Sequence, residues 1–122
     1  MAGFEELRIW KDSHQLKLIV HGIANKLPAH EVDLKNQIKR SSSSVPNNIS
    51  EGYSSYYYND KLKGVYVARK EAGETQNHIR SFGDQHYISQ NQARELIDRY
   101  ESVIRGINSY AKYIASKRDK KK

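Results

Sequence analysis

Apolar residues recur along this chain at spacings of three and four, the repeat of an α-helix buried on one side. Trp10, Ser13, Leu16, Val20, Ile23 and Leu27 form the first stripe, widened by Ile9, Ile19 and Ala24. The spacing predicts a helix from about Glu5 to about Leu27, stopped by Pro28. Residues 28–32, PAHEV, form a link short enough to favour an antiparallel neighbour. A second helix starts near Glu31–Asp33 and carries Leu34, Ile38, Ser41, Val45, Ile49 and Gly52 on one face. Four serines and Pro46 lie inside it, and Pro costs about 3 kcal/mol in a helix interior. The stepping continues across them, which predicts one helix kinked at Pro46. Residues 53–60, YSSYYYND, read as the helix tail plus a loop, with Asn59 or Asp60 as cap of the third helix. That helix runs through Leu62, Val65, Ala68, Ala72, Thr75, Ile79 and Phe82, and Gly83 is placed to end it. Ser89 and Gln92 form a capping-box pattern ahead of a fourth stripe: Ala93, Leu96, Ile97, Tyr100, Ile104, Ile107, Ala111 and Ile114. The basic residues 117–118 suit the last turn, and Lys120–Lys122 are expected to fray. The pattern is all-α, an antiparallel up-and-down four-helix bundle in a single domain spanning residues 1–122.

The second helix carries another stripe beside the buried one: Gln37, Arg40, Ser44, Asn48 and Glu51. It flanks the apolar face, so its members are either solvated or satisfied by one another or by a second chain. Arg40 and Glu51 lie within about 20° of three full turns of each other. They are expected to be mostly buried on one face, in a polar network or a subunit contact with Gln37 and Asn48.

The segment Leu34–Gly52 reads L-x-x-Q-I-x-R-S-x-x-S-V-P-x-N-I-S-E-G. It resembles the signature of the 23S rRNA intervening-sequence proteins, also called four helix bundle proteins and formerly S23 ribosomal protein. F-x-x-L-x-I-W-K at Phe4–Lys11 is similar to that family's opening segment, and Glu74–Gln76 with Tyr87-Ile88 extend the likeness. The resemblance implies a four-helix bundle assembled as a homopentamer, without enzyme activity. It also implies a link to nucleic acid, since a related branch binds nucleic acid and a reverse transcriptase. Ser41–Ser44 and the stretch RKEAGETQNH after Ala68 are more polar than the family pattern.

Composition narrows the function. The 122 residues are 37% hydrophobic, and nine of those are Tyr. So thin an aliphatic core favours association. There is no Cys, which excludes disulfides, thiolate metal sites and Cys nucleophiles. No apolar run is long enough to span a membrane, and the N-terminus lacks a signal-peptide pattern, so cytoplasm is the expected location. Net charge is +7, but KRDKKK at residues 117–122 holds much of it and leaves +3 on residues 1–116.

No catalytic residue, cofactor or metal site is expected. Inward Glu-x-x-His pairs, as in di-iron bundles, are missing. Glu71, Glu74 and His78 share a helix side and read as a solvated or salt-bridged acidic face. His14 and His21 are seven apart, not the four that helical zinc ligation uses. Two groups point instead to RNA or DNA. Lys117, Arg118, Lys120, Lys121 and Lys122 can displace counterions from phosphates. Tyr56, Tyr57 and Tyr58, beside Lys61 and Lys63, can stack unpaired bases. The competing reading is a scaffold for a protein partner.

Overall fold

The computed structural model describes residues 3–120. A 3-10 turn at Phe4–Glu6 leads into α1 (Arg8–Ala24). A second 3-10 turn at Ala29–Glu31 precedes α2 (Val32–Ser54), followed by α3 (Tyr58–Asp84) and α4 (Gln90–Lys120). There is no strand among the described residues. Three of the four helices match their periodicity closely. The first differs, because Leu7 is extended and splits off the opening turn, and the helix closes at Ala24 rather than Leu27.

Cross-helix pairings fix the directions. Arg40 meets Glu74 and Ser41 meets Thr75, while Gly52 meets Gly64, so α2 and α3 run in opposite senses. Gly83 meets Ala93, Gln76 meets Ile97 and Arg69 meets Asn108, which sets α4 against α3. Ile9 abuts Gly106, whereas Ile23 and Leu27 share a cleft with Ile88 and Gln92, so α1 opposes α4. The result is the up-and-down order expected from the short links.

One continuous core joins the helices. From α3 every residue of the stripe is buried: Leu62, Val65, Ala68, Ala72, Thr75, Ile79 and Phe82. From α2 come Ile38, Ser41, Val45, Ile49 and Gly52, with Leu34 half-buried. Val103 joins the α4 stripe, and Ile19 of the first stripe is exposed.

α2 runs unbroken through Pro46. Ser41, Ser42, Ser43 and Ser44 each find a partner, which answers their polarity. Ser41 and Thr75 share a hydroxyl–hydroxyl hydrogen bond of 2.8 Å, and Thr75 donates to the Glu71 carbonyl at 2.9 Å. Ser42 donates to the Lys39 carbonyl, and Ser43 bonds to His21 Nε2. Ser44 accepts from the Asn48 amide at 2.8 Å. Small side chains on this face let α3 approach. A Cβ on Gly64 would stand 2.7 Å from Gly52 Cα and 2.8 Å from the Asn48 carbonyl oxygen.

The helix ends hold two corrections. Neither Asn59 nor Asp60 caps α3; Tyr57 occupies the N-cap with no side-chain bond, because α3 begins at Tyr58, ahead of both. Gly83 does not end α3. It is helical and buried because Ala93 packs against it, where a Cβ would stand 2.9 Å away. His86 takes the left-handed position at φ 65. The Tyr87 and His86 N–H groups then bond to Phe82 and Gly83 carbonyls at 2.9 and 3.1 Å, and Tyr87 meets Phe82 edge to face, a Schellman closure with its apolar contact. Before α4, the Gln92 N–H donates to Ser89 Oγ at 3.0 Å, as the capping pattern requires.

Two substitutions test this packing. Gly64→Ala is expected to lower stability by about 1–3 kcal/mol, since backbone rather than a mobile side chain blocks the methyl. His86→Gly is expected to raise it by about 1 kcal/mol by relieving the left-handed strain. Urea unfolding of both variants measures the two shifts.

Candidate nucleic-acid interface

Within one chain the polar stripe of α2 does not form a buried network, the first of the two arrangements expected of it. Within the chain Gln37, Arg40 and Glu51 are exposed and Asn48 is half-buried. The physical reason is the small-residue contact between α2 and α3. It buries a narrow face of α2 and leaves the flanking row outside. Arg40 extends along the seam to α3, where Nη1 donates to Glu71 at 3.1 Å and Nη2 to both Glu74 oxygens at 2.7 and 2.6 Å. Asn48 turns back to its own helix, donating to the Ser44 carbonyl at 2.8 Å. Glu51 has no side-chain partner among the described residues, so Arg40 and Glu51 are not linked within one chain.

Glu71, Glu74 and His78 are thus a salt-bridged face. The Glu71 side chain is only 10% exposed, and that of Arg40 is 54% exposed. Burial first, then the neighbouring Glu74, pushes the Glu71 carboxyl above its ordinary value, with Arg40 opposing. The Arg40 hydrogen bond holds Glu74 below its ordinary value. His78 is buried with Nε2 unpartnered, 3.8 Å from Glu74. Among the described residues no group of three or more His, Asp or Glu side chains could hold a metal ion. His21 of α1, packed against α2, is pushed down by burial, and its Nε2 lies 3.3 Å from the Lys39 carbonyl.

The aromatic and basic residues gather at the other end of the same seam. α2 and α3 are joined by residues 55–57 alone. This tight turn projects Tyr56 and Tyr57, which are 81% and 71% exposed, with ring centroids 5.0 Å apart. Tyr58 differs from them: it is half-buried against the core. Lys61 is half-buried too, donating to the Tyr53 carbonyl at 2.8 Å with its ammonium 5.8 Å from the Tyr53 ring centroid. Lys63 is exposed on the next turn.

The end of α4 reaches this site. Arg118 donates through Nη1 to Asn59 at 3.0 Å and through Nε to Asp119 at 3.1 Å. Lys117 lies over the exposed Tyr113 ring, 5.4 Å from its centroid. Lys120 remains helical and exposed rather than frayed, and Lys121 and Lys122 lie outside the described residues. Two groups far apart in sequence therefore meet at one end of the bundle. Sequence reasoning missed Tyr66, Arg69 and Lys70, which extend the patch along α3; Arg69 stacks on Tyr66 at 5.0 Å. The signal was present, since 63, 66 and 70 step by three and four on the outer face.

The fold and this surface define a small all-α protein with a basic aromatic end and no recognisable reaction centre among the described residues. The family model described as 23S rRNA-intervening sequence protein matches residues 5–109, and the chain belongs to that family. It is similar in structure to a protein of unknown function from the S23 ribosomal protein family of Bacteroides thetaiotaomicron. That crystal structure matches with a TM-score of 0.78 at 21% identity, covering 85% of this chain and 95% of the other. The likeness is one of fold. None of the curated proteins matches this chain.

The Arg40 bridge has a pH signature. Glu74, with its lowered value, contributes stability above the ordinary 4.5 that is lost as pH falls through its folded value. Glu71, with its raised value, contributes in the opposite sense, fully below 4.5 and lost as pH rises through its folded value. Glu74→Gln is expected to flatten the acid-side loss, read from urea midpoints between neutral and acid pH. Arg40→Ala is expected to cost about 1–3 kcal/mol by leaving buried Glu71 unpaired, toward the lower figure because Arg40 is half exposed.

Proposed function

We propose that this protein is a non-enzymatic, self-associating bundle in the cytoplasm that binds RNA or DNA through the end where the α2–α3 turn meets the end of α4. The observation that carries this reading is the Arg118–Asn59 contact, which brings the end of α4 and its cations to the start of α3, beside Lys63 and next to the turn that exposes Tyr56 and Tyr57. Exposed tyrosines offer stacking surfaces for unpaired bases, and the cations around them neutralise phosphates without reading sequence. Among the described residues no helix is long and apolar enough to cross a membrane.

Self-association supplies the rest of the affinity. Five copies is the favoured number, from the family resemblance. A ring would repeat one weak basic patch around an axis and multiply its effective affinity. Exposed Leu18 and Val32 and the unpartnered Glu51 favour a surface that a second chain covers. The same features support the second reading, a scaffold for a protein partner.

Titration with single-stranded RNA and with duplex DNA at two salt concentrations separates these readings. Deleting residues 117–122 is expected to weaken binding and to flatten the salt dependence. The slope changes by about 0.7 per lost phosphate contact on single strands and about 0.9 on duplex. Tyr56→Ala with Tyr57→Ala is expected to hurt single-strand binding more than duplex binding. Absence of binding to either at low salt by the intact assembly overturns the nucleic-acid reading in favour of the scaffold. Light scattering at micromolar concentration is expected to give a mass several times 14.1 kDa, and a monomer mass contradicts self-association.

A further inference from the structure

Between the start of α3 and the end of α4 lies a cleft of about 480 Å3. Its apolar lining is Leu62, Val67 and the ring of Tyr66; Lys63, Lys70 and Arg118 supply the charge. Asn59 completes the wall and is held by Arg118. No carboxylate lines this cleft. Lys63 and Val67 also line the adjoining groove, where Glu51 and Asp60 stand, so part of the Lys63 charge is balanced there. Lys70 is exposed and has no ion pair or side-chain hydrogen bond among the described residues. Tyr66 is 44% exposed, and the Arg69 guanidinium over its ring steadies it.

An apolar floor with an aromatic ring and three cations, of which Arg118 is paired with Asp119 outside the lining, complements an anion that carries a flat apolar group. The volume falls within the range of small-ligand sites. We propose that this cleft holds one unpaired nucleotide of the bound strand. The base lies against Tyr66 between Leu62 and Val67, and the flanking phosphates contact Lys70, Arg118 and Lys63. The proposal rests on the nucleic-acid reading above and deepens it. It makes Tyr66 a base platform and limits Lys70 and Arg118 to phosphate contact.

The test titrates the full chain with an oligouridylate of about eight nucleotides, a common site size for single-strand binders. A base-free ribose-phosphate strand of the same length is the control. Tyr66→Ala is expected to weaken oligouridylate binding about tenfold or more and to leave the base-free strand unaffected, as loss of one stacked base requires. Tyr66→Phe retains wild-type affinity. Lys70→Gln and Arg118→Gln each lower the salt slope by about 0.7 on both probes. A photocrosslink from a 4-thiouridine strand, located by mass spectrometry, falls on Tyr66 or its cleft neighbours. If Tyr66→Ala changes neither probe while deletion of residues 117–122 weakens both, the cleft proposal fails and the nucleic-acid reading stands. Equal loss on both probes means that the cleft takes only phosphate, which also overturns it. Dodecyl phosphate that binds the wild-type chain but not Tyr66→Ala, without competing with the strand, assigns the cleft to an anionic amphiphile instead. No binding of either strand by the intact protein at low salt sinks the reading and the cleft together.

Discussion

The contact of Gly52 with Gly64 is the constraint on which the rest of the structure depends. With no side chain on either residue, the backbones of α2 and α3 come as close as their peptide groups allow. The contact lies just below the three-residue turn, so it fixes how the two helices leave that turn. Tyr56 and Tyr57, in that turn, stay outside the bundle. The same approach sets the first turn of α3 where Asn59 meets Arg118 of α4. A core contact thus determines the layout of a surface.

The seam continues away from the turn as small and polar residues rather than large apolar ones. Ser41 and Thr75 bond inside it, and Arg40 closes its outer edge onto Glu71 and Glu74. A buried carboxylate such as Glu71 is costly unless paired, and Arg40 supplies the partner while its stem lies along the surface. In this cluster one guanidinium stands against two carboxylates. The other end keeps Lys63, Lys70 and Lys117 outside with aromatic rings close by.

The helices were legible in the sequence because burial on one face imposes a period that survives Ser and Pro substitution. All seven residues of the α3 stripe proved buried, and α2 passed through Pro46 intact. Two features were not legible. A flanking polar row looks the same whether a neighbour covers it or not, so Arg40 and Glu51 gave no sign that the seam was narrow. Arg40's partners lie more than thirty residues away, and no local spacing announces them. Turn chemistry misled at Gly83, where the small side chain serves packing against Ala93 while His86 takes the left-handed position. The basic tail and the tyrosine run were each visible, but only the antiparallel return of α4 brings them together.

These elements make one account: a close helix crossing shapes a tight turn, the turn displays tyrosines, and the end of α4 adds cations to them. Hydrogen exchange of the full chain, with and without a single-stranded oligonucleotide at low salt, tests it most directly. The account predicts new protection in peptides covering residues 53–70 and 110–120. Protection confined to the opposite end, around residues 25–31 and 84–90, or no change anywhere, would contradict it.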